Sequence, residues 1–462
     1  MNKQIAIALA AVLTGCSMLP DYQRPAPPVA QNWPASAAGT RQATATEWRT
    51  FFPDARLQTL IAAALEHNTD MRIAVARVDE ARAQFGIARA DRIPNINLAA
   101  SRNAALTPGD LSPTGRPLNS QRYDVDLLMP AFELDFWGRV KSLSDAALAS
   151  YLATEEARRA FRLSLISDVA NAYLALLEFD ERVGIARVTL RSREETRTLI
   201  GKRREVGLAS DLDFLQADGA YETARADLAN LLRSRAAADN ALVLLTGKMP
   251  SELPHGRSLA EQGIVADLAA GLPAEVLLAR PDVLAAEQKL IAAHANIAAA
   301  RAAFLPRITL TATLGTASQA LSGLFAAGSR AWSFQPVLGL PLFDAGRTAA
   351  NVDLAEARQV IAVAEYEKTI QQAFREVADL LAAREQLAVQ ADALDTAAKT
   401  QAQRLKLADA RYQNGISSYL EVLDAQRELF TAQQNAVQTR RQLLTAAAQL
   451  YQALGGGRNN LH

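Results

Sequence analysis

Apolar and polar residues alternate with two different periods along this chain, and the places where the period changes divide it. From Asp54, a residue suited to capping a helix, apolar positions recur at helical spacing through Leu57, Leu60, Ile61, Leu65, Ile73, Val75 and Val78 to about Asp91, with a break predicted at His67-Asn68-Thr69. Pro94 ends that pattern and the period becomes two. Ile96 and Leu98 alternate with Asn95 and Asn97, and Tyr123, Val125, Leu127 and Met129 alternate with Asp124, Asp126 and Leu128. The loop between them holds Pro108, Pro113, Gly115 and Pro117, so the pair predicts a hairpin with a long tip. A second pair follows: Ile308, Leu310, Ala312 and Leu314, then, past Gly323 and Gly328, Trp332, Phe334, Pro336, Leu338 and Leu340. One face of each strand is apolar and the other largely polar, as a membrane barrel around a wet lumen requires. Four strands cannot close a barrel alone, but those of several protomers can.

No proline lies between 131 and 249 or between 342 and 462, and these two blocks are rich in helix formers. Val169, Leu176, Val183 and Leu190 are heptad-spaced in the first, as are Val363, Ile370 and Val377 in the second, which predicts helices packed along their length. Each block opens on a Gly-Arg pair, Gly138-Arg139 and Gly346-Arg347, and each contains a glycine tip, Gly207 and Gly415, the copies being 208 residues apart. The stretch Arg411 to Gln426 repeats Arg203 to Asp218, so a duplicated body is expected. The limbs serve as a ruler. The long helix 139 to 204 measures roughly 100 Å at ~1.5 Å per residue, and its return limb is two helices, about 211 to 247 and 273 to 304, of matching total length. In the second copy the long helix is 346 to 411, returned by 417 to 453 together with 54 to 92.

The expected organisation is a leader at 1–15, a tether at 16–53, a first repeat at 54–249 (strands about 93–134, helical hairpin 139–247), an equatorial linker at 250–272, a second repeat at 273–455 (strands about 306–342, hairpin 346–453) and a tail at 456–462. The leader is read from Lys3, the apolar run Ile5 to Leu13 and Thr14-Gly15-Cys16. Leu-Thr-Gly-Cys resembles the lipobox of bacterial lipoproteins, and Cys16 is the only cysteine in the chain. Lipidation at Cys16 is therefore expected, with Ser17 directing the protein to the outer membrane and several acyl chains anchoring it stably. Beyond the leader no run of 18 apolar residues predicts a membrane-spanning helix.

Charge changes the picture only by exclusion. With 49 basic and 49 acidic residues in 462, no global field favours nucleic acid. The four histidines show no metal-ligand spacing, no phosphate-cradling Gly-x-x-x-x-Gly-Lys occurs, and no catalytic constellation is evident. An enzyme is not expected, nor any cofactor beyond the lipid at Cys16. Energy for any transport must come from a partner.

These features together resemble the outer membrane factor family, the TolC-type channels of tripartite efflux and secretion systems, in its lipoprotein branch. The motifs that carry the resemblance are Leu13 to Cys16, Trp137-Gly138-Arg139, Ala345-Gly346-Arg347, Val206-Gly207-Leu208-Ala209-Ser210, and Arg411 through Arg427. The resemblance implies a mostly α protein with a membrane β-barrel: long coiled helices form an α-barrel, and four strands per protomer join in a homotrimer as a 12-stranded β-barrel. It implies an outer-membrane exit duct extending into the periplasm, passive, engaged by a periplasmic adaptor and an inner-membrane pump. Carried over by position, the periplasmic gate falls on Leu420, an apolar ring, and Asp424, an acidic ring, held by Arg411 and Tyr412; Asp211 and Asp213 are candidate partners that no motif places, so the partners stay open. Adaptor docking falls on Val206, Gly207 and Leu208 and on Asn414, Gly415 and Ile416. Arg427 stands where some members carry a second acidic ring, which weakens the expectation of strong cation selectivity. The exported substrates and the pump class stay open. The competing reading is a membrane-tethered lipoprotein scaffold of coiled helices without channel activity.

Overall fold

The computed structural model describes residues 22–34, 41, 42, 46–264, 268–271 and 273–457; Cys16 and its leader lie outside the described residues. A two-residue strand β1 (Arg41–Gln42) precedes α1 (Trp48–Phe51), α2 (Ala55–His67) and α3 (Thr69–Ala90). Strands β2 (Asn97–Thr107) and β3 (Leu118–Leu134) lead into α4 (Arg139–Glu205) and α5 (Asp211–Thr246). After β4 (Leu268–Ala269), α6 (Pro273–Leu277) and α7 (Pro281–Ala302), strands β5 (Arg307–Ser318) and β6 (Arg330–Gly339) lead into α8 (Arg347–Gln413) and α9 (Tyr419–Ala453). The order of helices and strands repeats, and the break between α2 and α3 falls at Asn68. The single helix expected from 273 to 304 is instead two, because Pro281 lacks the N–H and clashes with a continuing turn. Arg280 fills the break: it donates to the Ala453 carbonyl at 2.7 Å and pairs with Asp282 at 2.8 Å and Glu376 at 2.9 Å.

The chain forms two compact units, each drawing on both repeats. The first contains residues 77–155 and 285–366 and the four-stranded antiparallel sheet, ordered β2-β3-β5-β6. Its register turns period-two alternation into two surfaces. One row across the sheet reads Leu98, Leu127, Leu314, Trp332, and the row beside it Asn97, Leu128, Thr313, Ser333. The first surface continues through Val125, Phe334 and Leu338, the second through Asp124, Asp126 and Gln335, so the first face is predominantly apolar and the carboxylates lie on the other. Inward-facing Arg122 pairs with Asp124 at 2.7 Å.

A bulge keeps this alternation intact. Between Met129 and Phe132 the ladder to β5 shifts, with Ala131 at φ 35°. Without the extra residue Glu133 would point to the apolar side; with it, Glu133 faces inward, where Arg139 and Arg307 meet it at 2.7 and 2.6 Å. The Glu133 side chain is only 10% exposed, whereas Arg307 is 58% exposed. Glu133→Ala is therefore expected to cost about 2 kcal/mol, less than the 3–5 of a fully buried pair. A lowered unfolding midpoint of the detergent-solubilised protein checks this, and an unchanged midpoint would remove the structural role. Near the start of the described chain, Arg24 grips the buried carboxylate of Glu287 with two bonds of 2.6 Å, tying residues 22–26 to α7.

The second unit contains residues 27–76, 156–284 and 367–457. Its most connected polar group is Asp54, fully buried. Its carboxylate caps α2 through the Arg56 amide at 2.8 Å and also accepts from the Tyr173 hydroxyl at 3.0 Å, the Arg257 amide at 3.0 Å and Gln262 at 2.9 Å. Burial alone would raise its pKa, but these donors outweigh burial and hold the carboxyl below its usual range. A group with a lowered folded-state pKa stabilises the fold at neutral pH, and that contribution is lost as the pH falls through the lowered value. Asp54→Asn is expected to destabilise the protein at pH 7 by about 2 kcal/mol and to remove the component of stability lost below pH ~4. Denaturation series at pH 7 and pH 3 test both effects; equal acid sensitivity in the two proteins would contradict the assignment. Nearby, Trp33 stacks on Phe374 at 4.9 Å and donates to the Gly271 carbonyl, while Phe51 stacks on Tyr451 at 4.3 Å.

Candidate functional site

The two glycine tips are built alike. Gly207 and Gly415 have φ of 74° and 70°, a left-handed conformation that costs glycine little. In each, the glycine N–H and the next N–H fold back on the helix: Gly207 to Arg204 and Leu208 to Arg203, Gly415 to Tyr412 and Ile416 to Arg411, at 2.7–3.0 Å. This double bond pattern closes α4 and α8 and leaves Val206, Leu208 and Ile416 exposed.

The helices that restart after the tips differ. Ser210 and Asp213 form a reciprocal capping box on α5, and the hydrogen bonds from Ser210 hold the Asp213 carboxyl below the usual carboxylate range. The equivalent residues of the second tip are Ser418 and Glu421, yet the Ser418 hydroxyl makes no cap hydrogen bond. Glu421 lies instead 3.5 Å from Arg411. A missing cap removes about 1 kcal/mol of local helix stability. The second tip is thus held less by its own helix start and more by the bridge to Arg411.

Tyr412 accepts a hydrogen bond from Arg203 at 2.8 Å, which links α8 to α4. Its ring lies 5.3 Å from that of Tyr419, which is buried beside Ile200, Ala217, Ala408, Val422 and Ala425. A groove of about 490 Å³ runs along this contact, lined by Thr196, Ile200, Arg203, Lys406 and Tyr412 among others. Asp211 and Asp213, the candidates left open for Arg411 and Tyr412, are engaged elsewhere: Asp213 by Ser210, and Asp211 lies 3.7 Å from Arg204.

Leu420 is exposed, and Asp424, one turn on, is not a free carboxylate. Arg404 of α8 meets one oxygen at 2.7 Å and Arg427 meets the other at 2.6 Å. Arg427 also lies 3.4 Å from Glu428. The acidic position is therefore clamped between two guanidiniums. Arg203 and Arg404 were missed by the sequence reading. For Arg203 a signal existed, since the shift of 208 that aligns the glycines also aligns Arg203 with Arg411. For Arg404 none did, because it lies 20 residues from Asp424 on the preceding helix.

A family model described as outer membrane efflux protein matches residues 60–248 and 272–456. Outer membrane protein OprJ of Pseudomonas aeruginosa is 47% identical over 98% of this chain and 95% of its own length. The toluene efflux pump outer membrane protein TtgF of Pseudomonas putida is 46% identical over 99% of this chain and 97% of its own length. Among solved structures, a membrane protein from Pseudomonas aeruginosa superposes with a TM-score of 0.88 at 45% identity, over 95% of this chain and 100% of that one. The MtrE outer membrane channel of Neisseria gonorrhoeae in its open state superposes with a TM-score of 0.88 at 39% identity, over 96% and 99%. The similarity covers both repeats, the sheet and the helix tips alike, and the chain belongs to the outer membrane efflux protein family.

Proposed function

We propose that the protein is the exit duct of a tripartite efflux pump: a lipid-anchored homotrimer that passively conducts substrates from an inner-membrane transporter and a periplasmic adaptor across the outer membrane. The observation that carries this reading is the sheet. One face is predominantly apolar and the other carries the carboxylates, and its outer strands β2 and β6 each have one neighbour. Unpaired strand edges are not tolerated in lipid. Two copies would make eight strands, whose interior side chains fill; three make twelve and leave a lumen.

The tips form the gate. Leu420 and Asp424 line its narrowest part, and the Arg203–Tyr412 and Arg411–Glu421 contacts favour the closed state. The adaptor docks at Val206, Gly207 and Leu208 and at Asn414, Gly415 and Ile416, and it opens the gate by binding the open arrangement more tightly. Relatives are named for the efflux of toluene, solvents and antibiotics. The polar faces lining this duct are generic hydroxyls, amides and charges, so the pump selects the cargo and the duct conducts it.

The scaffold reading predicts a different behaviour on loss of the lipid. A Cys16→Ser protein is expected to stay in the membrane through alkaline and urea washes and to emerge in detergent as a trimer by native mass. Release by the wash as a monomer would sink the channel and favour the scaffold.

A further inference from the structure

We propose that the outward rim of the sheet, through Arg102 and Arg330, binds the phosphate groups of the phosphorylated glycolipid in the outer leaflet. The proposal rests on the barrel reading above. At the outward-facing ladder positions of β2, β3, β5 and β6 there is no Asp or Glu, and the charged residues are these two arginines. The inward-facing arginines are different: Arg122 is paired with Asp124 and Arg307 with Glu133. Neither Arg102 nor Arg330 has a carboxylate partner among the described residues. Arg102 lies over the ring of Tyr123 at 5.6 Å, its neighbour across the ladder.

Their height fits a headgroup. Arg330 pairs with Thr316, and Arg102 stands in the row of Tyr123 and Ser318, at the end of β5 away from Arg307 where the strand starts. From Ile308 to Thr316 is roughly 27 Å along the strand, and to Ser318 roughly 34 Å, at ~3.4 Å per residue. A tilt of about 40° reduces these to about 21 and 26 Å of vertical rise, against an apolar band about 25 Å tall. Both guanidiniums therefore emerge at the interface, where an outward arginine costs little, and not at the midplane, where it costs much. Trp332 lies two residues below Arg330 on the same face, an amphipathic ring at the same boundary. Two unpaired guanidiniums per copy, free to fork onto phosphate oxygens, complement a lipid bearing phosphate on a sugar backbone. The end of the sheet away from the helices faces the leaflet in which that lipid resides.

The test uses the full-length, lipidated protein in phosphatidylcholine nanodiscs doped with bis-phosphorylated lipid A, with its dephosphorylated form, or with phosphatidylglycerol, and counts retained lipids by native mass spectrometry. Lipid A is expected to be retained about tenfold over its dephosphorylated form, a ratio set by charge-assisted hydrogen bonds. Arg102→Gln with Arg330→Gln should abolish the preference, and the double lysine variant should keep part of it. Equal retention of phosphorylated and dephosphorylated lipid A by the wild type, which needs no variant to fold, overturns the proposal. So does a glutamine variant that retains lipid A as the wild type does. Phosphatidylglycerol held as tightly as lipid A would overturn the glycolipid assignment. Ion conductance of the same protein in a planar bilayer separates the two readings, since a protein that conducts without discriminating lipids refutes the rim alone.

Discussion

Tyr412→Phe combined with Arg411→Ala is expected to raise the open-to-closed ratio of the reconstituted channel by on the order of a hundredfold. The Arg203–Tyr412 hydrogen bond at 2.8 Å is the polar link between α4 and α8 at the tip, and phenylalanine removes it while keeping the ring against Tyr419. Such a bond contributes about 1 kcal/mol net. The more exposed Arg411–Glu421 pair at 3.5 Å contributes less. In the proposed trimer three copies together lose about 3 kcal/mol of closed-state preference, and each 1.4 kcal/mol is tenfold. Conductance in a planar bilayer reads the change. The effect is concentrated in the second tip because the first has its Ser210–Asp213 capping box to hold it and the second does not. Glu421 is the other half of that bridge, so Glu421→Ala should open the gate in the same direction as Arg411→Ala. Unchanged currents in both variants would remove these contacts from the gate.

Asp424→Ala is expected to shift the channel toward anions. In the wild type the carboxylate is shared between Arg404 at 2.7 Å and Arg427 at 2.6 Å. Its removal leaves both guanidiniums facing the proposed constriction in each copy. Arg404→Ala with Arg427→Ala does the reverse and exposes an acidic ring. Under a tenfold salt gradient the reversal potentials of the two proteins should separate with opposite sign, each by on the order of 10 mV, within the ~59 mV limit for a monovalent ion. A wild type as strongly cation-selective as the double arginine variant would show that the clamp does not form in the membrane.

The strands and the glycine tips were legible in the sequence for the same reason: each follows from a constraint that acts on single residues. A sheet between lipid and water must alternate, so Tyr123, Val125, Leu127 and Met129 announced their face. A left-handed turn needs glycine, so Gly207 and Gly415 announced theirs. The bulge at Ala131 was not legible, because it exists only in the register between β3 and β5; its trace is that Met129 and Phe132, three apart, both face outward. The break at Pro281 had a clear local signal, which the helical pattern on either side obscured. The Arg404–Asp424 contact depends on the stagger of two antiparallel helices. Heptad spacing fixes which face meets the neighbour and leaves the axial offset undetermined. The pairing at Arg411 was hidden by a near-symmetry, since Glu421 occupies a capping-box position that the first tip uses for its own Asp213.

Leu420→Cys, in a chain whose other cysteine is Cys16, places one thiol per copy at the proposed constriction. Single channels of this variant, recorded in the Tyr412→Phe background, should lose most of their current when a charged methanethiosulfonate is added from the side bearing the helix tips. The same reagent should leave the Tyr412→Phe channel without the added cysteine unaffected. A current that persists at full amplitude after the thiols have reacted, with modification verified by mass, would contradict a pore gated at the helix tips.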